Sequence, residues 1–309
     1  MNSILITGIG GDLAQGVAKV LSESYPEVTL YGSDIHNRHG GAVLVDKVVQ
    51  VPPAGDGYLT AIRELMRSEA IEGYLPLTEP EIRCSQPLIR ELGSKRYIGP
   101  GALVASVGLD KQMTMNFLSN IGIEVPWTSS TKEGYPEEYP CVLKNRFGSG
   151  SRGVEIVKNS EEAAFYISSK PDSIFQELLE PEDREISCAV YRSKSGQVGT
   201  LILLRRLSGG VTTWAQVIED DAIESLCGLI AERLELRGSM NIQMKNTLDG
   251  PRIFEINPRL SSTALMRHRL GFTDVVWTVQ EIRGETIDDF PLIPVGAIII
   301  RTHDSVILQ

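Results

Sequence analysis

For about its first hundred residues the chain alternates short apolar strands with amphipathic helices, and this alternation limits the fold more than any other feature. "SILIT" precedes a helix from about 12 to 23. There follow "VTLYGSD", "KVVQV", a helix through "YLTAIRELMRSE", the strand "GYLPL", a helix through "EIRCSQPLIREL", and "RYIGP". Strands separated by whole helices cannot close as tight hairpins, so they line up in parallel with helices on both faces. From Gly101 the pattern changes. Two short helices, "ALVASVG" and "KQMTMNFLSNIG", lead through "VPWTSS" to "PCVLKNR", a Gly/Ser-rich loop, "GVEIVK" and the helix "SEEAAFYISS". After "IFQELLE" come three strands in succession, a helix from about 220 to 234, and two more strands. The expected class is α/β, and with no internal repeat or low-complexity linker the parts are expected to pack as one body.

Composition narrows the partners. A formal charge of -10 over 309 residues speaks against general nucleic-acid binding, so any anionic ligand must be met by a local basic site. No apolar run approaches the roughly 18 to 20 residues of a membrane span, and "MNSILITG" carries no basic leader, so a cytoplasmic protein without membrane partners is expected. Cys84, Cys141, Cys188 and Cys227 form no C-x-x-C pair, which fits reduced thiols. His36 and His39 make an H-x-x-H without a nearby third ligand and are read as a surface loop.

Four stretches can carry chemistry. "ILITGIGGDLAQG" is a strand, a glycine turn and a helix start, where a phosphate could sit. Gly8 and Gly10 satisfy half of the dinucleotide fingerprint, but Leu13 takes the place of its third glycine. The looser set Gly8, Gly11 and Ala14, with Asp34 ending the next strand to hold a ribose, keeps an NAD(P)-dependent reductase open. In "NIQMKNTLDGPRIFEINPR", "LDG" suits a three-residue hairpin loop with Gly250 left-handed. Thr247 then faces Pro251, Gln243 pairs with Glu255, and Asn241 pairs with Asn257. Alternation puts these four polar side chains on one face and Ile242, Met244, Phe254 and Ile256 on the other. Such a face is either an exposed polar surface or a set of hard oxygen ligands for magnesium once phosphates complete the shell.

In "PCVLKNRFGSGSRGVEIV", Lys144 ends a strand. Gly148, Ser149, Gly150 and Gly153 form a loop whose backbone amides can cover phosphates, although Val154 and Glu155 rule out a Walker loop. Finally, "IFQELLEPEDREISCAV" reads as a hinge between two strands, or as a charged surface connection.

The order of these stretches resembles the ATP-grasp superfamily: Lys111 before a helix, a strand lysine with its glycine loop, an acidic hinge, a glutamine strand and "FEINPRLS". The likeness is to its carbamoyl-phosphate synthase large-subunit branch and the smaller carboxylate-amine ligases related to it. It implies an ATP-grasp fold of two α+β subdomains, residues 101–180 with the glycine loop and 181–309 with the magnesium site. A Rossmann-like parallel-sheet domain, 1–100, would precede them and help form the acceptor side of the cleft rather than bind a dinucleotide. The resemblance further implies that Lys111 and Lys144 contact ATP phosphates together with Gly148, Ser149, Gly150 and Gly153, and that Gln176, Glu177 and Leu179 receive adenine. Asp183 or Glu185 would face ribose or the phosphates, and Gln243, Glu255 and Asn257 would hold magnesium, with manganese as a substitute. Arg259, with Lys144, would stabilise charge on the transferred phosphoryl group. Asn145 stands where the family often has proline, and there is one grasp unit only, with no glutaminase segment.

The activity so implied is phosphorylation of a small-molecule carboxylate by ATP, followed by attack of an amine, or a thiol, on the acyl phosphate. Thr78, Glu79, Arg205, Arg206, Arg267, His268 and Arg301 are candidates for substrate contacts or for ion pairs. A homodimer is compatible with the sequence. Two other readings stand beside this one: the reductase, to which Tyr166 and Lys170 add a Y-x-x-x-K spacing, and a non-catalytic ATP-binding regulator.

Overall fold

The computed structural model describes residues 1–302 except 149, 151, 152, 182 and 288. The alternating segment forms a parallel sheet of β1 (Ser3–Thr7), β2 (Thr29–Asp34), β3 (Lys47–Gln50) and β4 (Gly73–Leu75), ordered β3-β2-β1-β4. Ile4 and Ile6 of β1 face α1 (Asp12–Ser24), while Leu5 between them faces α2 (Tyr58–Ser68), the two-sided burial that a parallel sheet requires. One expected helix is two, α3 (Glu79–Cys84) and α4 (Gln86–Leu92). Pro87, in the first turn of α4, has no N–H to continue α3, so the chain restarts at Ser85. "RYIGP" contributes only a single bridge from Tyr97 to Tyr74 rather than a strand.

Two helices, α5 (Ala102–Gly108) and α6 (Lys111–Asn120), lead to a small antiparallel sheet. It contains β5 (Thr128–Ser130), β6 (Cys141–Asn145), β7 (Glu155–Val157) and β8 (Ser173–Glu177), ordered β5-β8-β6-β7. Helix α7 (Ser160–Ser169), capped by the Asn159 side chain, closes a core of Cys141, Leu143, Val157, Ala163 and Phe175.

The rest builds a six-stranded antiparallel sheet from β9 (Glu185–Arg192), β10 (Val198–Ser208), β11 (Val211–Val217), β12 (Gly238–Thr247), β13 (Gly250–Asn257) and β14 (Ile298–Ile300). Their order is β13-β12-β9-β10-β11-β14. Helix α8 (Asp221–Arg233) covers one face, and α9 (Ala264–Arg269) and α10 (Asp274–Arg283) the other. Val104, Val107, Met115 and Leu118 also lie in the core beneath α8. By packing, α5 and α6 therefore belong with the large sheet, which corrects their expected grouping with the small one. Leu260, Ala264, Val275 and Val279 enter the core of the first sheet, so that sheet and the large one share buried surface.

Candidate functional site

The hairpin β12–β13 shows how the site is aimed. Its turn is one residue tighter than expected, with Thr247 opposite Gly250 rather than Pro251, although Gly250 does take a positive φ of 106°. A β-bulge beside Gln243 then takes up the odd residue, so Gln243 still pairs with Glu255 and Asn241 with Asn257. The bulge also exchanges two side chains. Ile253 enters the core in place of Phe254, and Phe254 turns to line the cleft together with Glu255.

Around Glu255 the cleft gathers its charges. Lys111 Nζ lies 3.1 Å from Glu255 Oε1 and also donates to the carbonyl of Gly148, tying the first turn of α6 to the glycine loop. Lys144 Nζ donates to the Phe254 carbonyl at 3.3 Å and sits 5.2 Å from the centre of its ring. Burial pushes the Lys144 ammonium down to about 8; Glu255 and Glu185 oppose this, and Lys111 adds to it. Burial alone would raise the Glu255 carboxyl, but Lys111, Lys144 and Arg259 together hold it below its ordinary value. Lys111, Lys144 and Arg259 thus surround Glu255, with Glu185 near Lys144 and Glu79 paired to Arg259.

Arg259 Nη2 reaches Asn257 Oδ1 and Glu79 Oε1, both at 3.2 Å, and its Nε is buried without a partner. Asn257 Nδ2 is likewise buried and unpartnered. Asn241, the fourth polar residue of the face, lies deeper, with its Oδ1 accepting from Ser187 Oγ at 2.9 Å. Gln243, Glu255 and Asn257 fit magnesium by donor chemistry, since all carry a hard side-chain oxygen on paired positions of the β12–β13 hairpin. With a single carboxylate among them, phosphate oxygens must complete the shell, and no group of three or more His, Cys, Asp or Glu residues suited to a metal occurs among the described residues.

The other end of the cleft is the connection after β8. Gln176 is buried and donates to Thr128 Oγ1 at 2.9 Å. Glu177 accepts from the Trp127 amide at 3.3 Å, and the Leu179 carbonyl is held by Lys245 Nζ at 3.0 Å. Val142, Leu178, Leu179, Leu207 and Phe254 give this end apolar walls. The sequence reading missed Lys245, Val142, Leu178 and Phe254. Lys245 was findable, because it stands two residues beyond Gln243 on the same strand. Of the alternatives Asp183 and Glu185, only Glu185 lines the cleft among the described residues; Asp183 is exposed.

Gly148, Gly150 and Gly153 all have positive φ, whereas Ser149 lies outside the described residues. A Cβ on Gly210 would come within 2.8 Å of the Gly150 carbonyl oxygen, so the turn after β10 touches the glycine loop backbone to backbone.

The remaining candidates separate by strand and helix face. Arg205 is buried and binds Glu185 through Nε at 3.0 Å, while its neighbour Arg206 points out and stacks 5.0 Å from the Trp214 ring centre. Thr78 caps α3 in a reciprocal box with Glu81, and Glu79 holds Arg259. Arg267 is fully buried against Asp274 and serves the interior rather than the cleft. His268 lies outside the cleft on α9, where burial lowers its basicity. Arg301 pairs with Asp12 and donates to the carbonyls of Thr212 and Ser262.

The first glycine turn borders a cavity lined by Gly8, Gly10, Gly11 and Asp34, and its own chain already engages groups there. Asp34 Oδ2 accepts from the Gly10 amide at 2.8 Å, which occupies an oxygen a ribose would need. A Cβ on Gly41 would stand 2.1 Å from the Ile9 carbonyl oxygen, so another backbone segment lies directly on the turn. Tyr166 and Lys170 sit at the end of α7, with Lys170 Nζ 5.1 Å from the tyrosine ring centre, in the small sheet's layer rather than beside that turn.

The family described as an ATP-grasp domain matches residues 109–263. A D-alanine–D-alanine ligase of Kineococcus radiotolerans is 30% identical over 123 residues, 34% of this chain and 32% of that ligase. The chain thus spans about a third of the length of the curated relatives it matches. An N5-carboxyaminoimidazole ribonucleotide synthetase, solved with ADP, superposes with a TM-score of 0.74 at 21% identity, over 97% of this chain and 79% of the other. The biotin carboxylase domain of Hydrogenobacter thermophilus 2-oxoglutarate carboxylase, solved with MgADP and bicarbonate, gives 0.73 at 19% identity, over 96% and 73%.

Proposed function

This chain belongs to the ATP-grasp family, and from that membership we propose that it is an ADP-forming ligase joining a small-molecule carboxylate to an amine. The observation that carries the reading is the setting of Glu255: one half-buried carboxylate beside Lys111 and Lys144, on a strand that also carries Asn257 and leads to Arg259. Such a centre holds the triphosphate and a hard cation together. Lys111, Lys144 and the amides of the glycine loop receive the phosphates. Gln176, Glu177 and Leu179 receive adenine, and Glu185 faces the ribose or phosphate side. Gln243, Glu255 and Asn257 would hold magnesium, or manganese, which would supply positive charge against the phosphates. The three sheets support boundaries near residues 100 and 180, while α5 and α6, at the start of the expected 101–180 part, pack with the large sheet of the expected 181–309 part.

In the reaction a carboxylate oxygen of the substrate attacks the γ-phosphorus. The bond to the β–γ bridging oxygen breaks and ADP leaves. The amine nitrogen then attacks the acyl carbon, the bond to the phosphate oxygen breaks, and the nitrogen gives up a proton. Lys144 and Arg259 supply positive charge where negative charge is transferred. The glycine loop, touching Gly210, excludes water from the acyl phosphate. Neither the Gly8–Ala14 turn, whose Asp34 is engaged by the Gly10 amide, nor the Tyr166–Lys170 pair, at the far end of α7, favours a reductase. Among the described residues no helix is long and apolar enough to cross a membrane and the four cysteines are free thiols, which supports a cytoplasmic setting. Sedimentation checks the homodimer.

The test is thermal stabilisation by Mg-ADP, Mg-ATP, NAD and NADP side by side, with Glu255→Gln as control. Adenine nucleotides at a hundred times their dissociation constant should add about 2.7 kcal/mol in the parent protein, and much less in the variant. Stabilisation by NAD or NADP alone would refute the reading. ADP release in a matrix of carboxylates and amines, cut at least about a hundredfold by Glu255→Gln, then identifies the substrates.

A further inference from the structure

The large sheet ends in an open edge. Strand β14 stands last in its order, so among the described residues only β11 pairs with it. The Ala297 carbonyl accepts from the Val217 amide and the Arg301 amide donates to the Thr213 carbonyl, each at 2.9 Å, with Ile299 opposite Ala215 between them. Alternation then turns the N–H and C=O groups of Ile298 and Ile300 away from β11. Their side chains share a sheet face with Trp214 and Gln216, while Ile299 packs into the core on the other. The core beneath α8 reaches Ile218 on that shared face but includes neither outer isoleucine, and Ile298 and Ile300 are 56% and 63% exposed. Edge strands are ordinarily protected by a charge, a proline or a bulge. Ile298–Ile300 carries none of these, so its outward backbone groups are a template for another strand.

We propose that β14 is the seam of a homodimer, pairing antiparallel with β14 of a second copy about a two-fold axis through Ile299. The outward groups are complementary to themselves. Ile298 exchanges two backbone hydrogen bonds with Ile300 of the second copy, Ile300 does the same with its Ile298, and the two Ile299 residues meet on the axis as a non-hydrogen-bonded pair. The two sheets become continuous. On the α8 face, Trp214 and Ile300 of one copy run on into Ile298 and Gln216 of the other.

Charge obeys the same symmetry. Arg206, stacked on Trp214, makes the Ile300 end of this face cationic, while Glu219, Asp220 and Asp221, where β11 leads into α8, make the Ile298 end acidic. Strand direction reverses across the axis, so the cationic end of each copy lies opposite the acidic end of the other. The nucleotide cleft is lined from β9, β10, β12 and β13, with β11 between them and the seam. The dimer therefore leaves both clefts open and does not depend on the ligase reading.

Sedimentation equilibrium of the full-length protein over a concentration series is the test. The parent should show a reversible monomer–dimer equilibrium, with the heavier species at twice the 33.9 kDa chain mass. Ile300→Pro removes an outward amide and leaves the bonds to β11 in place, so it should weaken dimerisation at least about tenfold while circular dichroism stays that of the parent. Ile298→Lys should weaken it as well without altering the backbone, by setting a charge against Ile300 of the second copy. Ile299→Cys, on the axis, should give a disulfide-linked dimer on mild oxidation, which the parent should not. A parent that stays monomeric, a dimer that Ile300→Pro and Ile298→Lys leave intact, or one that Ile299→Cys fails to lock, overturns the proposal. A monomeric parent that dimerises once residues 303–309 are removed overturns it in favour of the chain's own end as the strand this edge receives.

Discussion

Replacing Lys144 with methionine should make the nucleotide-free protein more stable at neutral pH while destroying its grip on the nucleotide. Burial lowers this lysine from 10.5 to about 8 in the folded chain. Below pH 8 it is charged in both the folded and unfolded states, and the fold bears the full cost of keeping an ammonium out of water. Between 8 and 10.5 the unfolded chain holds the proton and the folded chain does not, so stability rises with pH. Each unit is worth about 1.4 kcal/mol, so the cost at pH 7 is about 3 kcal/mol. Methionine removes that cost but forfeits the bond to the Phe254 carbonyl, worth about 1 kcal/mol. The expected gain at pH 7 is about 2 kcal/mol, shrinking to about zero by pH 10. Chemical denaturation of both proteins at pH 7, 8.5 and 10 measures the difference, in which other titrating groups cancel. With Mg-ADP present the order should invert, because only the parent protein gains the roughly 2.7 kcal/mol of ligand stabilisation. A variant less stable than its parent at pH 7, or a gap that does not change with pH, would refute the assignment of Lys144 as a buried cation held for an anionic ligand.

Arg267→Met should cost about 3 to 5 kcal/mol, because it strands Asp274, 1% exposed, without its cation; melting should fall by about 10 °C with nucleotide affinity unchanged. Arg206→Ala should cost no more than about 1 kcal/mol in urea, since it loses only an exposed stack on Trp214. Gly41→Ala should cost about 3 kcal/mol in the same assay, because its methyl would overlap the Ile9 carbonyl; a neutral result would reopen the first glycine turn as a ligand site.

Much of the site was legible because local rules act there. Strand alternation alone put Gln243 and Glu255 on one face, and it would also have separated Arg205 from Arg206 had it been applied to β10. The hairpin pairings came out right through two departures that cancel, a turn one residue tighter and a bulge one residue longer, and Phe254 and Ile253 record the difference. Bulges follow from packing across the sheet, which periodicity along a single strand does not contain. The break between α3 and α4 was written in Pro87. The docking of α5 and α6 on the large sheet was not, since their apolar faces fit either neighbour and only the assembled core decides. Ion pairs such as Arg259–Glu79 join residues 180 positions apart and leave no local trace.

The small sheet owns its core: Cys141, Leu143, Val157, Ala163 and Phe175 cluster with one another, while the first and large sheets are fused through Leu260, Ala264, Val275 and Val279. Mechanically, the protein can be viewed as an anvil, built on the shared core of the first and large sheets, and one jaw with a core of its own. The jaw is joined to the anvil by two chain passages, 121–127 and 178–184, the second of which receives adenine in the proposed reading. A nucleotide that presses on that passage bears directly on the jaw's pivot. Amide exchange should show the jaw opening as a unit at lower free energy than the anvil, and closing when adenine alone, without phosphates, is supplied.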